Sequence, residues 1–215
     1  MDFLGPARQI LFVPYALADH AAYTRKVQNA FDSQGITVLE LQREVNPLQA
    51  LDDAEIIFVG GGNTFRLLRD LQGLRLLEPV RQRVLDGTLR YIGSSAGTNV
   101  ACPTIRTTND MPIVQPETFD SLGLVPFQIN PHYLDPNTDS THMGETREER
   151  LVQFLEENDV PVVGMREGSW LRRNAATLRL DGLAGARLFQ RGQSPREIAP
   201  GTDLSWLLEI QSRFD

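Results

Sequence analysis

At 215 residues, with 41% hydrophobic and 23% charged side chains, the chain has the composition of one sizeable globular domain and excludes disorder. A formal net charge of −7 disfavours nucleic acid and anionic membranes as partners, because both need clustered Lys and Arg. The single cysteine, Cys102, excludes an internal disulfide and fits a reducing cytoplasm, and no apolar run of about 18 residues predicts a membrane-spanning helix.

Residues 10–13 read as a first buried strand, stopped by Pro14. The same proline interrupts the apolar stretch 10–18, so no secretory signal is expected despite its Ala16-Leu17-Ala18 ending. Residues 21–31 follow as an amphipathic helix closed by Gly35, then a strand at 36–41, a short helix at 48–54 and a third strand at 55–59. After Gly60-Gly61-Gly62 come helices at 64–71 and 76–85, and a fourth strand at 90–92 runs into Gly93. This β-α-β-α order predicts an α/β fold with a mainly parallel sheet and helices on both faces. Residues 111–141 hold several prolines around a short strand at 128–129 and read as long functional loops. A charged helix at 146–157, an apolar strand at 160–165 and short antiparallel strands over 169–188 complete a single domain, 1–215, without repeat or linker.

Gly93-Ser94-Ser95-Ala96-Gly97 lies between the fourth strand and a short helical run ended by Pro103. A G-x-S-x-G at a strand-to-helix turn is a nucleophile elbow, in which the glycines permit a strained backbone that projects Ser95. Gly60-Gly61-Gly62-Asn63 also follows an apolar strand directly. It lacks both the G-x-x-x-x-G-K phosphate loop and the G-x-G-x-x-G dinucleotide spacing. An N–H from Gly61 or Gly62, with that of Ala96, would instead make a two-donor oxyanion hole.

A serine nucleophile needs a base, and the chain has three histidines. His20 reads as a surface or capping residue of the first helix, and His142 lies in a polar loop. His132, in Asn130-Pro131-His132-Tyr133, follows a strand directly and is the best candidate base. For the orienting acid, Glu167 follows the strand at 160–165, while Asp110 lies in the loop after the nucleophile. Chain order leaves both open. No H-E-x-x-H or Cys/His cluster suggests a metal, and no cofactor is expected. A broad esterase and a catalytically silent binding module built on the Gly60–Asn63 turn are the rival classes.

Together these segments resemble the peptidase E family of aspartyl dipeptidases. The resemblance runs through residues 57–65, 91–97, 101–114, 128–132 and 144–148. Its most specific stretch is 101–114, within which Arg106-Thr107-Thr108-Asn109-Asp110-Met111-Pro112-Ile113-Val114 favours the dipeptidases over the related cyanophycinases. Ser94 departs from the pattern, since many members have an aromatic residue there. The resemblance implies a fold like class I glutamine amidotransferases, with a flavodoxin-like core, antiparallel additions near the C-terminus, and serine replacing their cysteine. It implies Ser95 as nucleophile, His132 as base and Glu167 as orienting acid, with Asp110 also close to the site; recognition of a free α-amino group would need a nearby carboxylate, for which Asp110 is the candidate. It further implies that Arg147 grips the carboxylate of an N-terminal aspartate, and that Asn63 lies at the substrate site. The implied protein is a cytoplasmic homodimer that cuts Asp-X dipeptides and small peptides. The residues lend Arg147 separate support: a cation in the first turn of a helix opposes the macrodipole, which suggests a specific anionic partner.

Overall fold

The computed structural model describes residues 2–136 and 144–214. The chain forms two compact units: Met1–Ala101 with Asp110–Leu124, and Cys102–Asn109 with Val125–Asp215.

In the first unit, β1 (Gln9–Val13), β2 (Thr37–Glu40), β3 (Ile56–Val59) and β4 (Arg90–Gly93) form a four-stranded sheet of order β2-β1-β3-β4. Every neighbouring pair is parallel. Parallel strands are covered on both faces, which is why β1 and β3 read as unbroken apolar runs rather than alternating ones. Helix α1 (His20–Asp32) is started by Asp19, whose side chain accepts from the Ala22 amide at 2.9 Å. It lays Val27, Tyr23 and Phe31 against Phe12, Val38 and Phe58. Helix α2 (Pro47–Asp53) combines an Asn46 cap with proline at its first position, where the missing N–H costs nothing. Helices α3 (Thr64–Gly73), α4 (Leu77–Leu85) and α5 (Ala96–Val100) follow. Two glycine-rich turns therefore leave the sheet together, because Val59, the last residue of β3, pairs with Gly93, the last of β4.

The second unit is built on β5 (Gln128–Pro131), β6 (Val162–Met165), β9 (Ala186–Phe189) and β10 (Arg196–Ile198), in the order β10-β9-β6-β5. Here β5 and β6 are parallel, while β9 and β10 add antiparallel strands. Between β6 and β9, β7 (Ser169–Asn174) and β8 (Thr177–Gly182) form a separate hairpin. Helix α6 (Arg147–Glu157) opens on a complete capping box between Thr146 and Glu149 and packs Leu151 and Leu155 near Val162, Tyr133 and Phe189. The α/β class, the parallel strands and the C-terminal antiparallel additions are as expected. Strand β10 and the short 3₁₀ turn at Ser205–Leu208 were not anticipated.

One contact sets the position of α5. A Cβ on Gly97 would stand 2.1 Å from the Val59 carbonyl oxygen, so only glycine lets α5 approach β3. Gly97→Ala is expected to lower the stability of the fold by at least about 1–3 kcal/mol. Gly73→Ala, where nothing lies within 4 Å, should leave it unchanged or raise it by up to about 1 kcal/mol. Urea midpoints of the two variants check the contrast.

Candidate active site

Ser95 sits on the turn from β4 to α5 with φ 52° and ψ −108°. A non-glycine residue held there stores roughly 1–3 kcal/mol, a cost that persists only where the surroundings fix it. They do so through the Ser95 carbonyl, which accepts from the Thr98 and Asn99 amides at 2.8 and 3.0 Å. The Tyr91 hydroxyl adds a bond to the Gly97 carbonyl at 2.6 Å. Against the serine lies Gly61, where a Cβ would be 2.9 Å from Ser95 Cβ and 3.6 Å from Ser95 Oγ.

The two expected oxyanion donors of the Gly60-Gly61-Gly62 turn now separate. The Gly61 amide donates to the Tyr23 hydroxyl at 2.8 Å. The Gly62 and Ala96 amides donate to no acceptor among the described residues. Gly62 has φ 137°, and a Cβ there would meet the Ala16 carbonyl oxygen at 2.5 Å, so this turn also requires glycine. Tyr23 escaped the sequence reading because it precedes Gly61 by 38 residues and has no motif of its own. Burial pushes its hydroxyl pKa up, against the opposing pull of the Gly61 N–H.

Asn63 caps α3, its Oδ1 accepting from the Arg66 amide at 3.0 Å, and its Nδ2 donates to the Met111 carbonyl at 2.8 Å. Both ends of the amide therefore serve the fold. Asp110 is anchored beside it, with Oδ2 accepting from the Thr64 amide at 2.8 Å and from Thr64 Oγ1 at 2.5 Å. Buried Asn99 donates to the same Thr64 hydroxyl at 3.1 Å.

In the second unit, His132 follows β5 and Glu167 follows β6 by two residues, strands whose ends pair Pro131 with Met165. His132 Nδ1 and Glu167 Oε1 are hydrogen-bonded, so among the described residues the histidine takes Glu167 as its carboxylate. His132 has φ 56°. It is thus, with Ser95, one of four non-glycine residues at positive φ among those described. The preceding Pro131 carbonyl accepts from Asn109 Nδ2 at 2.8 Å, and Asn130 Nδ2 donates to the Thr107 carbonyl at 2.8 Å and to Asn109 Oδ1 at 2.9 Å. The Thr107–Asn109 segment thereby fixes the end of β5 where His132 begins.

A network missed in the sequence flanks this pair. Arg166, next to Glu167, bonds Asp135 through Nε at 2.8 Å and Nη2 at 2.6 Å. It also bonds Glu197 of β10 through Nη1 at 2.8 Å and Nη2 at 3.0 Å. Its guanidinium lies 5.7 Å from the centre of the Tyr133 ring, the residue after His132. Arg187 adds contacts to Asp135 at 3.6 Å and to Glu148 at 3.2 Å. Hydrogen bonding from Arg166 holds the Asp135 carboxyl below its usual range, and both carboxylates raise the Arg166 pKa in turn.

Arg147 is the first residue of α6 and is half-buried. Its neighbours are engaged elsewhere: Glu149 closes the capping box, and Glu148 meets Arg187 and the Tyr133 hydroxyl. His20 opens α1 after its Asp19 cap, its ring 5.5 Å from that of Tyr15, while His142 lies outside the described residues. Cys102 is fully buried, and burial pushes its thiol up to about 12, far from a nucleophile's range.

A strained serine at a strand-to-helix turn and a histidine held by a carboxylate are the components of a serine hydrolase. The sequence profile of Peptidase family S51 matches residues 1–180, and the chain belongs to that family. It is 57% identical over 213 residues to a peptidase E of Streptomyces coelicolor, covering 99% of this chain and 87% of that one. It is 50% identical over 202 residues to a probable alpha-aspartyl dipeptidase of Drosophila melanogaster, covering 94% and 84%. Among solved structures, a peptidase from an acI-B1 actinobacterium superposes with a TM-score of 0.62 at 15% identity, covering 91% and 82%. A putative peptidase E from Listeria monocytogenes does so at 0.56 and 22%, covering 88% and 85%. These two likenesses concern the fold.

The Arg166 network has a pH signature. Because the Asp135 pKa is depressed, its contribution to stability is present above the unfolded carboxylate value of about 4 and is lost as pH falls through the lower folded value. Arg166→Met is therefore expected to show its widest Tm deficit near neutrality, narrowing as pH falls below the unfolded carboxylate value of about 4. An equal deficit above and below that value would mean that Arg166 acts through its packing on Tyr133 instead.

Proposed function

We propose that this S51 peptidase releases N-terminal aspartate from Asp-X dipeptides and small peptides through an acyl-enzyme on Ser95. One observation carries the reading: Ser95, at φ 52° and packed on Gly61, stands at the elbow of a chain 57% identical to a peptidase E. In the proposed reaction His132 takes the Ser95 proton as Oγ attacks the aspartyl carbonyl, and Glu167 holds the imidazole tautomer. The hydrogen bond between His132 and Glu167 supports Glu167 over Asp110 as the acid. The Gly62 and Ala96 amides receive the oxyanion, because the Gly61 amide already serves Tyr23. His132 then protonates the departing amine, and water frees aspartate from the serine.

Arg147 takes the aspartate side chain as a bidentate carboxylate ligand. Asp110, oriented by its two bonds from Thr64, receives the substrate's ammonium group. Asn63 acts through the fold, holding the start of α3 and the Met111 carbonyl, rather than by touching substrate. The same proposal makes residues 1–215 one peptidase domain, a reading favoured by a family match that draws on both compact units. A cytoplasmic homodimer completes it, and sedimentation of the purified protein checks the assembly.

Hydrolysis of Asp-Leu, Asn-Leu, Glu-Leu and Ala-Leu tests the proposal. Asp-Leu alone should be cut, and Ser95→Ala should lower kcat by roughly 10⁴–10⁶ with the fold intact. Near-normal turnover in that variant would end the serine mechanism. Glu167→Gln should lower kcat more than Asp110→Asn, by up to roughly 10⁴, and the opposite ranking would reassign the acid. Arg147→Ala should cost about 2–5 kcal/mol in transition-state binding of Asp-Leu.

A further inference from the structure

A groove of about 650 Å³ opens beside Ser95 within the first unit. Gly61 and Gly62 line it together with Leu17, Ala22, Tyr23 and Lys26. Lys26 is the only lysine in a chain whose other 20 Lys and Arg positions are all arginine. It is exposed and makes no ion pair with any described residue. It stands one helical turn after Tyr23, whose hydroxyl accepts the Gly61 amide next to Ser95. Side chains on a helix lean back over the preceding turn, so Lys26 leans over Ala22 and Tyr23, and the small Ala22 leaves it room.

The other ionisable charge on the groove is Asp19, which caps α1 through the Ala22 amide. Seven residues separate it from Lys26, about 10 Å along the helix axis. A substrate carboxylate is thus repelled from the Asp19 end and drawn to the Lys26 end, with the apolar faces of Leu17 and Ala22 along the groove.

We infer that this groove is the leaving-group subsite and that Lys26 binds the C-terminal carboxylate of the substrate, favouring dipeptides with a free C-terminus. The inference rests on the proposed dipeptidase reading. In an Asp-X dipeptide the terminal carboxylate lies only about 3.5 Å beyond the scissile carbonyl, so the charge cannot be far from Ser95. A mobile lysine suits a carboxylate whose position shifts with the X side chain, as a fixed guanidinium fork does not. Longer peptides place a neutral amide where the carboxylate belongs and lose the contact.

The test compares Asp-Leu with its C-terminal amide, Asp-Leu-NH₂, using wild type, Lys26→Met and Lys26→Arg, with circular dichroism confirming the fold of each. Wild type should favour the acid, and Lys26→Met should lower kcat/KM for Asp-Leu roughly 10–100-fold, through KM, while leaving the amide unchanged. Lys26→Arg should keep part of the preference. An equal loss on both peptides, or no preference in wild type, would overturn the carboxylate role. A wild type that cuts neither peptide would overturn the dipeptidase reading beneath it, an outcome distinct from cutting both equally.

Discussion

The surroundings of Ser95 in the first unit depend on glycine backbone packed where no side chain would fit. Gly97 lies on the Val59 carbonyl, Gly61 lies on Ser95, and Gly62 lies on the Ala16 carbonyl. These contacts set the end of β3 against the start of α5 and the end of β1. The Gly62 and Ala96 amides donate to no acceptor among the described residues. Such closeness removes the freedom that the positive φ of Ser95 would otherwise relax into. The glycines are therefore sequence requirements of geometry, and the strained serine is the geometry's result.

The second unit reaches comparable rigidity by polar bonds instead. His132 is held from three directions: by Glu167 at its ring, by Asn109 at the carbonyl before it, and by the Tyr133–Arg166 contact after it. Arg166 is shared by Asp135 and Glu197, so one planar fork fastens the loop after His132 and strand β10 to the end of β6. The run from Thr107 to Met111 has two duties. Its first part bonds β5, and its last part bonds Asn63 and Thr64 at the start of α3. That double duty explains why so many polar residues are needed in so short a stretch.

Elements and elbow were legible in the sequence because their causes are local. Apolar runs ended by Pro14 or glycine marked the strands, and apolar periodicity placed the starts of α1, α2, α3 and α6 within one residue. Strand β10 escaped because three residues, two of them exposed and charged, carry no period-2 signal. The acid could not be chosen from the sequence, since Glu167 and Asp110 both sit in plausible loops. Their surroundings differ only through pairings across 35 residues for His132–Glu167 and 46 for Thr64–Asp110. Tyr23 and Arg166 were invisible for the same reason: each bonds a distant part of the chain, and neither belongs to a motif.

The choice of cation follows the geometry asked of it. Where two carboxylates must be held in one fixed arrangement, as Asp135 and Glu197 are, the chain uses arginine, whose rigid fork makes paired bonds. The proposed aspartate ligand, Arg147, belongs to the same class, because on the proposed reading the acyl residue is always aspartate. On the same reading the leaving residue varies, and a fork fixed for one X would misalign with the next. A single point charge on a flexible stem follows a carboxylate through such changes at little geometric cost. The lone lysine of the groove thus suits the variable half of the proposed substrate, as the arginine of α6 suits the constant half.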